Sequence, residues 1–181
     1  ENFAQDFDQE CWLHPDQNGE SAWILSPSLN WQDENLMPQH GDQFWLALFD
    51  EPAPEGEYRQ AWLILPEMHL TSAPGLALRI DFAGHYHDIP RKGELQLWAA
   101  TDQGSFQQIW SAHSHTGFTG QPAAGNSLLW HRAVIPLMQF AGAESLRLAL
   151  QYRGEEEGFM AVDRVAVIPA QSLSRQISIQ V

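Results

Sequence analysis

The stretch LALRIDFAGHYH, residues 76–87, alternates apolar and polar side chains over most of its length. A period of two residues is that of a β-strand, in which successive side chains point to opposite faces. One face then carries Leu76, Leu78, Ile80 and Phe82, and the other carries Arg79, Asp81, His85 and His87. The stretch therefore predicts a strand with one face in a core and one face in solvent.

The same alternation recurs along the chain, whereas helical periodicity is almost absent. ELQLWAA, from Glu94, and SLRLALQY, from Ser145, repeat the half-buried pattern. QFWLALF and AWLILP are apolar on both faces, which is typical of strands in the middle of a sandwich or under a covering loop. Strands are predicted at Ser21 to Ser26, Gln43 to Phe49, Gln60 to Leu65, Leu76 to His87, Glu94 to Ala100, Phe106 to Ser111, Leu128 to Ile135, Ser145 to Tyr152 and Phe159 to Ile168. We therefore predict an all-β fold, an antiparallel jelly-roll β-sandwich.

The length of 181 residues is enough for one domain with its own core. We expect residues 1–168 to form the sandwich module. After Ile168 the composition becomes polar, so residues 169–181 are expected to be an edge strand or a linker to a further domain. Cys11 is the single cysteine, and an internal disulfide is therefore excluded.

The net charge of the chain restricts the classes of partner that it can bind. Its 23 acidic and 9 basic residues give a net charge of −14, which repels nucleic acids and anionic membrane surfaces. No apolar run approaches the roughly 18 residues that span a bilayer. We expect a monomeric module that binds neither nucleic acid nor the membrane interior.

Several segments, in order, resemble the secreted β-sandwich domains known as cleaved-adhesin, choice-of-anchor J or MAM-like domains. The segments are WLHPDQNGESAW (12–23), AWLILPEMHL (61–70), LQLWAATDQGSFQQIW (95–110), LWHRAVIPLMQFAGAESLRLALQY (129–152) and FMAVDRVAVI (159–168). The resemblance implies a non-catalytic jelly-roll module of a larger bacterial adhesin or secreted enzyme, which binds glycans, surface proteins or calcium. It also implies an extracellular, cell-surface or periplasmic location. Leu65 and Arg164 depart from the usual pattern, in which a small hydroxyl residue and a second Asp stand at these positions.

A calcium site is one interpretation of the first segment. Asp16, Asn18 and Glu20 offer oxygens at alternate positions around Gly19, as ligands of calcium do in short loops. Asn18-Gly19 is also a common hairpin turn, so a plain turn is the alternative. Asp163 is the candidate for a distant ligand, because the resemblance places an acid there.

A sugar site is a second interpretation, centred on Trp98. If the strands at Leu76 and Glu94 are neighbours, one outward face carries Trp98, Arg79, Asp81, His85, His87, Glu94 and Gln96. An aromatic ring among hydrogen-bonding groups can stack on a sugar and bind its hydroxyls. The alternative is that a loop covers Trp98.

Two His-x-His pairs, His85 with His87 and His113 with His115, suggest a metal-dependent jelly-roll enzyme. Neither pair is followed by the Glu and the later His that a cupin-like site requires. Motifs of serine hydrolases, zinc proteases and phosphate-binding loops do not occur in the chain. A binding module is thus the first hypothesis, with a metal-dependent enzyme and a purely structural spacer as alternatives.

Overall fold

The computed structural model describes residues 5–6, 23–31, 34–55, 57–69, 75–85, 93–102, 104–115, 128–155 and 157–170. Its strands are β1 (Gln5–Asp6), β2 (Trp23–Ser26), β3 (Leu29–Trp31), β4 (Glu34–Leu36), β5 (Phe44–Phe49), β6 (Arg59–Ile64), β7 (Leu76–His85), β8 (Glu94–Thr101), β9 (Gln107–Ser111), β10 (His131–Pro136), β11 (Leu146–Gly154) and β12 (Gly158–Pro169). Short 3₁₀ turns at Ala112–Ser114 and Met138–Phe140 are the helical elements of the described residues.

Most of these strands form two antiparallel sheets. The larger sheet has the order β10-β7-β12-β5-β2, and β1 pairs with the far end of β12. The smaller sheet has four strands in the order β6-β11-β8-β9. Facing sheets of this kind confirm the predicted all-β, antiparallel jelly-roll sandwich.

The core lies between the sheets and is filled by alternate residues of both. Phe49 of the larger sheet stacks on Tyr152 of the smaller one, with ring centroids 4.5 Å apart. Trp23 crosses from β2 toward β6, where its Nε1 donates a hydrogen bond to the carbonyl oxygen of Ala61 at 3.1 Å. Burial of each such large side chain stabilises the fold by about 1.5–3 kcal/mol.

The outer face of the larger sheet is apolar as well. Phe44, Leu46 and Phe159 lie on it, and the β3–β4 hairpin covers them with Leu29 and Leu36. This second cluster explains why β5 is apolar on both faces, as the sequence indicated. AWLILP does not lie in the middle of the sandwich, because β6 is the edge strand of the smaller sheet, and its outward side chains are partly exposed.

The division of the chain at Ile168 stays a prediction. Strand β12 ends at Pro169, and residues 171–181 lie outside the described part of the chain. No helix among the described residues is long and apolar enough to cross a membrane.

Candidate functional site

The outer face of the four-stranded sheet differs from the covered outer face of the larger sheet. On each strand of the smaller sheet alternate residues, such as Leu63, Leu97 and Leu150, point inward and fill the core. The residues between them therefore point outward. The outward residues are Gln60, Trp62 and Ile64 on β6, Arg147, Ala149, Gln151 and Arg153 on β11, Glu94, Gln96, Trp98 and Ala100 on β8, and Gln108 and Ser111 on β9. We call this set the amide–tryptophan face.

Glu94, Gln96 and Trp98 form a chain of hydrogen bonds along β8. The Nε1 atom of Trp98 donates to Oε1 of Gln96 at 3.2 Å, and Nε2 of Gln96 donates to Oε2 of Glu94 at 2.7 Å. From the neighbouring strand, the hydroxyl of Ser111 donates to the other oxygen of Glu94. These bonds fix which side of the Gln96 amide faces the indole, and thereby hold the ring of Trp98 in one orientation.

Trp62 brings a second indole ring to Trp98 from the other side of β11. The ring centroids are 5.6 Å apart and the planes are inclined by 54°. Ala149, on the strand between them, pairs with Trp98 on one side and with Ile64 on the other. Because its side chain is a single methyl group, the two large rings can meet above it.

A row of amides lies beside the two rings. Gln96 and Gln151 are direct cross-strand partners, and they retain only 5% and 4% of their exposed surface. Gln151 donates through Nε2 to Oε1 of Gln60 at 2.7 Å. A primary amide has two donors and two acceptor lone pairs, so each glutamine keeps capacity for further bonds.

The two arginines of this face are already engaged. The guanidinium of Arg153 lies over the ring of Tyr58, 3.6 Å from its centroid. The guanidinium of Arg147 donates to the carbonyl oxygen of Gly104 at 2.9 Å and lies 5.4 Å from the ring centroid of Phe106. Both guanidinium groups therefore lie in contacts with neutral partners at the margin of the face and keep their positive charge.

Arg79 and Asp81 do not share this face, which corrects the seven-residue surface expected around Trp98. Strand β7 belongs to the larger sheet and β8 to the smaller one, so they are not neighbours. Of the predicted residues that the structure describes, Glu94, Gln96 and Trp98 share the outer face of the smaller sheet. The side chain of His85 and all of His87 lie outside the described residues.

Asp81 is buried, with 1% exposure, although its side of β7 was expected to face solvent. Arg132 of β10 holds it with two hydrogen bonds, at 2.6 and 3.1 Å. The Nε2 atom of His40 is 3.3 Å from Oδ2 of Asp81, and Nε of Arg79 is 3.9 Å from the same oxygen. The two arginines compensate a charge that burial would otherwise make costly.

Asp163 lies at a break in register between β12 and β7 and is buried, with 3% exposure. Its Oδ2 accepts hydrogen bonds from the backbone amides of Gln39 and His40 at 2.7 and 2.8 Å. Burial raises the pKa of this carboxyl, and the two amide bonds and His40 partly offset the rise.

The predicted calcium ligands Asp16, Asn18 and Glu20 lie outside the described residues. Within the part of the chain that the structure describes, no three His, Cys, Asp or Glu side chains are grouped to hold a metal ion. Oδ2 of Asp163 is already used by two amide donors. Calcium therefore stays a prediction.

His113 and His115 do not lie on a strand, so the argument that they share a face was wrong. They flank Ser114 at the end of a 3₁₀ turn, and His113 is exposed. The ring of His115 packs 5.6 Å from that of Phe82 and 6.4 Å from that of His131. Burial lowers the pKa of both His115 and His131, and their mutual repulsion lowers that of His131 further.

Trp62 and Gln151 were missed as site residues. Trp62 stands in AWLILP, whose continuous apolar character hid the fact that it points away from Ala61 and Leu63. Gln151 interrupts an apolar run, and a polar residue at an outward position between two core residues was the available signal.

These observations define a class: a two-sheet antiparallel sandwich with one outer face covered by apolar packing and the other lined by indoles and amides. No protein-family model matches the chain, and no curated protein matches its sequence.

Solved structures share the fold. The chain is similar to the CBM27-1 module of Caldicellulosiruptor saccharolyticus in complex with mannohexaose, at 11% identity and a TM-score of 0.59, over 92% of this chain and 97% of that one. It is also similar to the K3 cleaved adhesin domain of Lys-gingipain from Porphyromonas gingivalis, at 16% identity and a TM-score of 0.50, over 92% and 95% of the two chains. The K1 domain of the same protein matches at 13% identity and a TM-score of 0.50, over 93% and 96%. The resemblance to cleaved-adhesin domains is thus confirmed for the fold, while choice-of-anchor J and MAM-like membership stay predictions.

Proposed function

We propose that the chain is a non-catalytic carbohydrate-binding module and that the amide–tryptophan face binds the glycan. The observation that carries the proposal is the pairing of Trp62 and Trp98 beside a row of amides. The apolar face of a pyranose stacks on an indole, while its hydroxyls exchange hydrogen bonds with amides. The CBM27-1 module, which shares the fold, is in complex with mannohexaose.

A binding role fits this face better than a catalytic one. Glycoside hydrolysis generally uses two carboxyl groups that flank the bond to be cleaved. Glu94 is the one carboxylate that the described parts of β6, β11, β8 and β9 direct outward. Both of its oxygens accept hydrogen bonds from neighbouring side chains. A metal-dependent enzyme on the His-x-His pairs has no comparable support.

The setting of the module follows from the sequence resemblance and is part of the proposal. We place it in a larger bacterial surface or secreted protein, at an extracellular, cell-surface or periplasmic location, as a monomeric unit. Calcium bound by Asp16, Asn18 and Glu20 would stabilise it. Asp163 is the least suited member of that set, because its Oδ2 already accepts two backbone hydrogen bonds.

Isothermal titration against a panel of soluble oligosaccharides, mannohexaose among them, tests the proposal. Trp98→Ala and Trp62→Ala are each expected to weaken binding by at least about 30-fold, as central aromatic contacts do. Leu129→Ala, at an exposed apolar residue outside the face, is the control and keeps full affinity. Failure of the wild type to bind any glycan, or full affinity in both tryptophan variants, would show the proposal to be wrong.

A further inference from the structure

The inclined rings of Trp62 and Trp98 carry information about the shape of the ligand. We infer that the amide–tryptophan face selects an uncharged glycan whose successive sugar rings are rotated against one another, rather than a flat ribbon or a polyanion. The inference rests on the proposed function and names the ligand class of the same face.

The angle between the two indole planes restricts the shape of a ligand that stacks on both. A sugar that stacks on an indole lies parallel to it, so two sugars on two rings adopt the angle between those rings. The planes of Trp62 and Trp98 are inclined by 54° at a separation of 5.6 Å. In a flat ribbon such as cellohexaose the ring planes of neighbouring sugars are nearly parallel, whereas in a twisted chain such as xylohexaose they are rotated. The twisted chain matches both indoles, and the flat chain matches only one.

Hydrogen bonds hold Trp98, one of the two rings, in its orientation. Trp98 is held through Nε1 by Gln96, which is held in turn by Glu94. Ala149 lies under the meeting point of the rings and is fully buried there. An indole whose orientation is fixed before binding selects the ligand that fits it, because reorganisation would subtract from the binding free energy.

The charges of the chain disfavour an anionic ligand. A polyuronate or a sulfated glycan needs cationic partners, yet Arg153 is stacked on Tyr58 and Arg147 is bonded to Gly104 at the margin. Glu94 adds a negative charge beside Gln96, and the whole chain carries −14. The net charge of the chain repels an anionic ligand, while hydroxyl groups find the exposed amides of Gln60 and of Gln108, the cross-strand partner of Trp98.

The test compares three probes by isothermal titration with the wild-type chain. Xylohexaose is neutral and twisted, cellohexaose is neutral and flat, and hexagalacturonate is twisted and anionic. Xylohexaose is expected to bind at least about tenfold more tightly than cellohexaose, and hexagalacturonate not at all. Trp62→Ala removes one of the two planes and is expected to bring the two neutral probes to within about threefold of each other. Leu129→Ala, at an exposed apolar residue outside the face, is the control and keeps the wild-type ratio.

The outcomes separate the inference from the proposed function. Tighter binding of cellohexaose, or measurable binding of hexagalacturonate, overturns the inference and leaves a glycan-binding module in place. Equal ratios in the wild type and in Trp62→Ala also overturn it. If neither these probes nor the wider oligosaccharide panel binds, the proposed function fails and the inference falls with it.

Discussion

The carboxylate of Asp163 accepts a hydrogen bond of 2.8 Å from the backbone amide of His40, which lies 123 residues earlier in the chain. The adjacent amide of Gln39 donates to the same oxygen at 2.7 Å. One buried carboxylate on β12 therefore ties down the loop between β4 and β5. The same loop brings the ring of His40 to the carboxylate of Asp81.

Replacement of Asp163 by Ala is expected to lower the free energy of unfolding by about 2–4 kcal/mol, because two amides lose a charged acceptor. Asp163→Asn keeps an acceptor oxygen and should cost less. Asp42→Ala removes an exposed carboxylate from the same loop and serves as the control. Urea unfolding measures all three, and a loss for Asp163→Ala no larger than that for Asp42→Ala would contradict the structural role.

Acidification is expected to destabilise the fold through His115 and His131. Burial lowers the pKa of both in the folded state, so the unfolded state binds more protons once the pH falls. The stability that the neutral rings contribute is full above the unfolded pKa of about 6.5 and is lost as the pH falls below it.

Melting temperatures recorded between about pH 7.5 and pH 5.5 test this, since most carboxylates stay ionised in that range. His131→Gln should flatten the profile. His113→Gln, at an exposed residue of the neighbouring turn, should leave the profile unchanged. A wild-type melting temperature that does not fall over this range would disprove the assignment.

Calcium is expected to raise the melting temperature if the Asp16 to Glu20 loop binds it only in the folded state. The gain is about 2.7 kcal/mol when the free ion is at 100 times its dissociation constant. Asp16→Ala should abolish the shift between millimolar calcium and chelator. If the melting curves of the wild type in millimolar calcium and in chelator coincide, the calcium prediction is wrong and the plain hairpin turn is favoured.

Strand existence was largely readable from the sequence, because alternation over five or more residues is a strong signal. The β3–β4 hairpin was missed, since strands of three residues are too short to show a period. Its effect was nevertheless visible in β5, whose outward Phe44 and Leu46 required a cover.

Strand neighbours were not readable, and this accounts for the error in the predicted site. Strands β7 and β8 follow one another in the chain but belong to different sheets. The alternation of apolar and polar residues indicates which residues share a face of one strand. It does not indicate which strands pair. Trp98, Gln96 and Glu94 were placed together correctly because they lie on one strand, whereas Trp62 and Gln151 come from β6 and β11.

Glu94 is expected to act as a positioning residue for Trp98. Its carboxylate accepts from Nε2 of Gln96, which leaves Oε1 of Gln96 facing the indole nitrogen. In Glu94→Ala the side-chain amide of Gln96 can rotate by half a turn, which places its NH2 group opposite the indole NH of Trp98. Two donors then face each other, so the indole loses its hydrogen-bond acceptor and its fixed orientation. We expect glycan affinity to fall about tenfold.

The indole NH resonance of Trp98, assigned by its absence in Trp98→Phe, should shift and broaden in the free protein. Gln60→Ala is the control, because its bond to Gln151 lies outside this chain of contacts and the resonance should not move. Since a general loss of stability would disturb all indole resonances alike, a change confined to Trp98 identifies positioning, and an unchanged Trp98 resonance in Glu94→Ala rules it out.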